Sequence, residues 1–266
     1  MRYMEKKKIF FVILLIIIVV ATTMFLLWRR NLDADNSLSN VKKRGVLVVG
    51  GDAPYGVMEF FNEDNEIDGI DVDIAREIAS RLGVRLEFND YDWDQLFLKV
   101  KNDEIDLAAS SITITPERQK EMLFSTSYFN GGQVIVVRSG NQDIGGVNDL
   151  VGIKIAVQEG TTGYDEAKKY TQENLIFPYL NFDDSGIIND LENEKFEAII
   201  VDYVQALSMI KVYSGLKIVG TPFTREDYGL VTKIGNNTLM QEINSIILNM
   251  EKEGTLKKIE IKWSAF

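Results

Sequence analysis

The first pattern along the chain is an uncharged run, Ile9 to Trp28, IFFVILLIIIVVATTMFLLW. Twenty residues at about 1.5 Å rise span about 30 Å, the thickness of a bilayer core. Arg2, Lys6, Lys7 and Lys8 precede the run, and Arg29 and Arg30 follow it. The larger basic cluster comes first, so the positive-inside rule predicts a cytoplasmic N-terminus and an exported remainder. A cleaved signal peptide is the competing expectation. Its apolar core normally runs to about 7–15 residues and ends in small residues, whereas Ala21-Thr22-Thr23 is a poor cleavage site. Residues 1–30 therefore read as a membrane anchor or signal segment. Residues 31–41, with the polar stretch NLDADNSLSN, read as a short tether.

Beyond the tether the pattern becomes globular. Gly45 to Val49 is an apolar run ended by Gly50-Gly51, a strand and its turn. Between Gly69 and Gly83, apolar residues at 70, 74, 78 and 82 share one helical face, with Gly83 placed to cap it. Val84 to Phe88 alternates as a strand, Trp93 to Lys101 has helical spacing, and Ile105 to Ala109 is a short strand. Strand, helix, strand, helix, strand argues for a mostly parallel α/β sheet. The pattern then restarts. Strands are predicted at Gln133–Val137, Ile153–Val157 and Ala198–Val201, with helices at Tyr164–Glu173, Ser185–Glu194 and Val204–Tyr213. Leu239 to Trp263 is largely helical. Two successive α/β units predict two lobes.

Composition removes much chemistry. The 266 residues contain no histidine and no cysteine. Ser-His-Asp arrangements, Cys nucleophiles, Cys-zinc sites, disulfides and lipid attachment to Cys are excluded. The net charge is −11, of which residues 1–30 contribute six basic residues and one acid, so the remainder is more acidic still. Such a body does not suit a nucleic-acid backbone and is repelled by anionic headgroups. Asp64-x-Glu66-x-Asp68-Gly69 begins like a calcium loop, but Asp71 and Ala75 stand where such a loop wants an apolar residue and a glutamate. Gly50-Gly51-Asp52 lacks the third glycine and the lysine of a phosphate loop. No metal or cofactor is implied.

Several segments stand out together. They are Gly51-Asp52-Ala53-Pro54-Tyr55 with Glu59-Phe60, Gly69-Ile70-Asp71-Val72-Asp73-Ile74-Ala75, Asp92-Trp93-Asp94-Gln95-Leu96, and Ile105-Asp106-Leu107. Ser111-Ile112-Thr113-Ile114-Thr115-Pro116-Glu117-Arg118 follows, then Phe124-Ser125 and Tyr128-Phe129. Later come Gly160-Thr161-Thr162, Ala198 to Asp202, Tyr228-Gly229, Glu253-Gly254-Thr255 and Lys262-Trp263. In this order and spacing the chain, over about residues 42–265, resembles the polar-amino-acid-binding proteins of ABC importers, extracellular solute-binding proteins family 3. The resemblance implies a two-lobed, type II periplasmic-binding-protein-like α/β fold. It would have two mixed sheets flanked by helices and joined by a two-strand hinge near Gly132-Gln133 and Thr221–Tyr228. Lobe 1 would be residues 42–132 plus 223–266, and lobe 2 residues 133–222. A separate permease and ATPase are implied as partners, with the body on the extracytoplasmic face.

Arg118 follows Thr113, Thr115 and Pro116, where a strand is predicted to hand over to a helix N-terminus. A fixed guanidinium beside exposed amides suits a carboxylate, although a surface helix arginine is the ordinary alternative. By the resemblance, Arg118 grips the ligand α-carboxylate. Thr162 is either an ordinary N-cap or a backbone and hydroxyl donor to the same carboxylate. Asp202 is either an N-cap or, as the resemblance implies, the partner of the α-ammonium. Ser111 and Thr113 would add oxygens and a backbone donor. Tyr55 and Trp93 match positions that sandwich the ligand side chain, and Asp52 one that meets its far end. An acid with two aromatics favours a cationic or glutamine-like side chain. Gly56-Val57-Met58 replaces the Pro-Pro-Phe common in relatives and is expected to change the pocket wall. A dehydratase on the same scaffold and a ligand-sensing module are the rival classes.

Overall fold

The computed structural model describes Thr22, Met24 and residues 35–180 and 184–263. Apart from Thr22 and Met24, the predicted anchor lies outside the described residues, as do residues 31–34 of the tether. Among the described residues no helix is long and apolar enough to cross a membrane. The chain divides into two units, residues 1–36 and 37–266, and the second carries the fold described below.

It opens with α1 (Ser37–Arg44), a departure from the expected tether. The segment is polar except at Leu38 and Val41, but those two pack into the core and Ser37 bonds Thr238. A helix with one narrow apolar stripe has little periodic signal of its own. The order continues β1 (Val46–Gly51), β2 (Phe60–Phe61), β3 (Ile67–Asp68), α2 (Ile70–Leu82), β4 (Arg85–Asp90), α3 (Trp93–Lys101) and β5 (Leu107–Ala108). Next are β6 (Met122–Phe124), β7 (Phe129–Gly131), β8 (Gln133–Arg138), β9 (Ile155–Gln158), α4 (Thr162–Tyr170) and β10 (Ile176–Tyr179). The chain ends with α5 (Asp184–Glu192), β11 (Ala198–Asp202), α6 (Tyr203–Val212), β12 (Leu216–Val219), β13 (Glu226–Tyr228), β14 (Val231–Lys233), α7 (Asn237–Lys252) and α8 (Thr255–Trp263).

Two five-stranded sheets result, in the orders β4-β1-β5-β14-β6 and β10-β9-β11-β8-β12. β1 runs parallel to β4 and β5, while β14 is antiparallel to both its neighbours. β8 is likewise antiparallel to β11 and β12. The sheets are therefore mixed, because β14 and β8 belong to the two passages between lobes and enter against the βαβ direction. Each sheet is covered on both faces. Leu47, Val49, Ile74, Ile78 and Ile243 form one core of the first lobe, and Leu96, Val100, Ile105 and Ile112 the other. Val134, Val136 and Ile199 face one core of the second lobe, and Ile135, Val137 and Ile200 face the other. This odd–even split is the period-two alternation of strands buried on both faces.

The chain crosses between lobes along β7 and β13. They pair antiparallel, Phe129 with Tyr228 and Gly131 with Glu226. Just beyond, the Gln133 N–H donates to Thr224 Oγ1 at 2.8 Å and the Phe223 N–H to the Gln133 carbonyl at 2.9 Å. A two-strand ribbon with few flanking contacts is a joint that can bend.

Candidate functional site

Between the lobes lies a narrow, partly enclosed cavity with about 20 Å3 of free space, and side chains of both lobes line it. From the first lobe come Tyr55, Trp93, Ser110, Ser111, Thr113 and Arg118. Arg118 begins one turn of 3-10 helix, Arg118–Lys120, not the α-helix N-terminus expected from sequence. Pro116 removes an N–H donor there, and the chain passes directly into β6. A helix dipole therefore contributes nothing at this wall. The guanidinium does, held by Nη1 donating to the Thr113 carbonyl at 3.0 Å and packed 5.4 Å from the Trp93 ring. Burial pulls its pKa down. Among the described residues no carboxylate lies within ion-pair distance of it. A partly buried guanidinium bonded to the Thr113 and Gly160 carbonyls but to no carboxylate leaves a charge that suits an incoming anion.

Ser111 adopts φ 48°, a left-handed conformation that is strained for a residue with a Cβ. Its N–H donates to Asp71 Oδ2 at 2.9 Å and its hydroxyl to the same oxygen at 3.3 Å. Both of its donors face inward, so it offers the cavity only acceptors. Asp71 also accepts from the Tyr128 hydroxyl at 2.5 Å, and the neighbouring Ser110 hydroxyl donates to buried Glu59. Burial raises both acids, Glu59 the more strongly. This inner layer fixes the Ser110–Ser111 wall.

The second lobe supplies Gln158, Thr161, Thr162 and Asp202. The cap of α4 is Thr161, whose hydroxyl accepts from the Tyr164 N–H at 3.3 Å. Thr162 is the first helical residue, leaving its side chain free of capping. Asp202 precedes α6 but makes no capping bond. Its carboxylate turns to the cleft, taking the Tyr55 hydroxyl on Oδ2 at 2.5 Å and the Gln133 amide on Oδ1. Burial, then the nearby Glu226, pushes its pKa up to about 7.

The lobes are closed on one another. Trp93 Nε1 and Arg118 Nη2 both reach the Gly160 carbonyl, at 3.4 and 3.2 Å. Gln158 Nε2 donates to Asp52 Oδ2 at 3.5 Å. Burial raises Asp52 to about 6, and Asp90, Asp92 and Asp94 push the same way. Gly56 brings a turn of the first lobe against α6, since a Cβ there would stand 3.0 Å from the Val204 carbonyl and 2.9 Å from the Ser208 hydroxyl.

Seven of the eight residues singled out from sequence, Tyr55, Trp93, Ser111, Thr113, Arg118, Thr162 and Asp202, line this one cavity. Asp52 stands just outside, reached through Gln158. Gly56, Val57 and Met58 do not line the cavity. Met58 is buried in the first-lobe core and Gly56 abuts α6, so the departure from Pro-Pro-Phe acts on lobe packing rather than on the pocket wall. Tyr55 and Trp93 do more than flank a side chain, because each also makes a hydrogen bond across the cleft. Sequence reasoning missed Gln158, at the end of β9 just before the Gly160 turn, and Glu226, on the hinge.

Two lobes on a two-strand hinge, with a polar cleft lined from both sides, define the type II periplasmic-binding-protein class. The profile of the bacterial extracellular solute-binding proteins, family 3, matches residues 47–266, and the chain belongs to that family. It is similar to the L-cystine-binding protein TcyJ of Escherichia coli (strain K12), 33% identical over 233 residues, covering 86% of this chain and 87% of that protein. Among solved structures it resembles a mutant of ArgBP from T. maritima, 34% identical with a TM-score of 0.79, covering 86% of this chain and all (100%) of that one. It also resembles the ancestral amino acid-binding protein AncCDT-1, a precursor of cyclohexadienyl dehydratase. That match is 31% identical with a TM-score of 0.77, over 85% of this chain and 98% of that one.

Proposed function

We propose that this protein captures a polar amino acid outside the cytoplasm by closure of its two lobes and delivers it to an ABC importer. The observation that carries the reading is the pairing of opposite charges across one cavity, Arg118 on the first lobe and Asp202 on the second. The α-carboxylate goes to the Arg118 guanidinium and to the backbone N–H groups of Thr162 and Gly163, which open α4 ahead of the capped Tyr164 N–H. The α-ammonium goes to Asp202. An amino acid spans the cleft with both charges, so it binds the closed form better than the open one, and that difference drives closure. The lobes are taken as residues 42–132 plus 223–266, with α1 packed on them, and residues 133–222. Residues 1–30 hold the body at the membrane face or direct its export, and a separate permease and ATPase read the closed form.

The far end of the cleft favours a cationic or glutamine-like side chain. Asp52 stands there among Asp90, Asp92 and Asp94, with the Gln158 amide opposite. The relatives named for cystine and arginine fit a ligand with a distal charged group. A dehydratase would need a carboxyl acid free to give up its proton to a substrate. The raised acids, Asp202 and Asp52, are instead engaged by Tyr55, Gln133 and Gln158. A thermal-shift screen of the proteinogenic amino acids and L-cystine tests the reading. A ligand at 100-fold its Kd adds about 2.7 kcal/mol, roughly 5–10 °C for a body of this size. A response from one or two cationic, amide or cystine-like ligands supports it, and no response from any of them overturns it.

A further inference from the structure

Glu226 lies on hinge strand β13, is 4% exposed and contacts both lobes. Its Oε2 accepts from the Thr113 hydroxyl of the first lobe at 2.6 Å and from the Thr162 hydroxyl of the second at 2.8 Å. Its Oε1 accepts from the Thr224 hydroxyl at 3.0 Å. A hydroxyl has one proton to give. Thr113 and Thr162 therefore spend theirs on Glu226. Thr162 Oγ1 also accepts from Gln133 Nε2 at 3.3 Å, so it is engaged in both senses. Thr113 lines the cavity, and its hydroxyl has only lone pairs left to offer. The expectation that the Thr162 hydroxyl donates to a ligand carboxylate does not fit this geometry. Its proton is already taken.

We propose that Glu226 is a positioning residue that makes the Thr113 hydroxyl an obligate acceptor for the ligand's ammonium group and so fixes the orientation of the ligand along the cleft. The inference rests on the amino-acid reading above. The Arg118 guanidinium, bonded to the Thr113 carbonyl, marks the carboxylate end of the same residue. The Thr113 hydroxyl, kept from donating, marks the ammonium end together with Asp202. Glu226 also holds the Thr162 hydroxyl of the second lobe in this closed structure, so one carboxylate sets hydroxyls of both lobes. An amide at position 226 would offer its own N–H groups. One threonine hydroxyl would then be released to donate into the cavity, against an ammonium.

The test is calorimetric titration of the full chain in mild detergent with L-arginine and L-glutamine, each beside its desamino counterpart, which lacks only the α-ammonium. In the unaltered protein the amino acid should bind at least a hundredfold tighter than its desamino counterpart. Glu226→Gln should weaken the amino acid by about tenfold or more, leave the counterpart nearly unchanged, and so shrink that ratio. Thr113→Val, with Glu226 intact, should shrink it as far, and the double variant should add little. No binding of any proteinogenic amino acid or of L-cystine by the unaltered chain overturns the amino-acid reading itself. Binding with an unchanged ratio in Glu226→Gln overturns the role of Glu226 alone. If Glu226→Gln does not fold, an unchanged ratio in Thr113→Val overturns it equally.

Discussion

Asp202 sets how the site responds to acid. Its pKa is pushed up to about 7 in the closed, ligand-free structure because it is buried and near Glu226, while the Tyr55 donor and the more distant Arg118 only partly offset this. An ammonium needs the ionised form. Below about pH 7 binding must first expel a proton, so affinity should fall by up to tenfold per pH unit between pH 7 and pH 5. Titration in two buffers of different ionisation enthalpy should show close to one proton released per ligand at pH 6. Asp52, raised to about 6, adds to the effect for a ligand with a cationic side chain. Asp202→Asn should bind more weakly at pH 8 and lose most of the pH dependence. A pH-independent affinity would mean that the ammonium is held elsewhere.

At the scale of elements, the cleft is positioned by turns rather than by the regular segments that carry them. Gly56 is the clearest instance. Its φ of 55° already favours glycine, and a Cβ would press on the Val204 carbonyl and the Ser208 hydroxyl of α6. Gly56→Ala should lower stability by roughly 1–3 kcal/mol and weaken ligand binding, because the added methyl opposes the closed form in particular. Scattering from the ligand-saturated variant should give a larger radius of gyration than the unaltered protein. An equal radius and equal affinity would place the closing contacts elsewhere. The long α/β elements were legible because apolar residues at 70, 74 and 78, and runs such as Ala198–Val201, carry their period in the sequence. Short elements were not. β7 and β13 have three residues each, and α1 carries too few apolar positions to register. The charged ends of the site were legible through a family pattern. Glu226 was not, since its partners Thr113 and Thr162 lie 113 and 64 residues away and no local period points to them.

Over the whole molecule, buried acids govern stability. Glu59, Asp52, Asp71 and Asp202 all have pKa values raised by burial in the folded state. A raised acid holds its proton in the native protein after the unfolded chain has lost it. For Asp52, Asp71 and Asp202 this favourable contribution is complete below about pH 4 and is lost as pH rises toward 6–7. The ligand-free protein should therefore melt at a lower temperature at pH 7.5 than at pH 5.5, by roughly 5 °C. Calorimetric scans across that range would check this, and a melting temperature that rises with pH would contradict it. Ligand should narrow the difference, since it draws Asp202 into its ionised form.

The central claim is that one amino acid bridges the two lobes by its own opposite charges, with Arg118 as its carboxylate partner. The most direct measurement is calorimetric titration of the unaltered chain and of Arg118→Ala at pH 7.5 with L-arginine, L-glutamine and L-cystine. The account predicts saturable one-to-one binding of at least one of them, weakened about a hundredfold or more in Arg118→Ala while the empty variant keeps its fold. Binding that survives the loss of Arg118 unchanged, or no binding of any of the three, would contradict it.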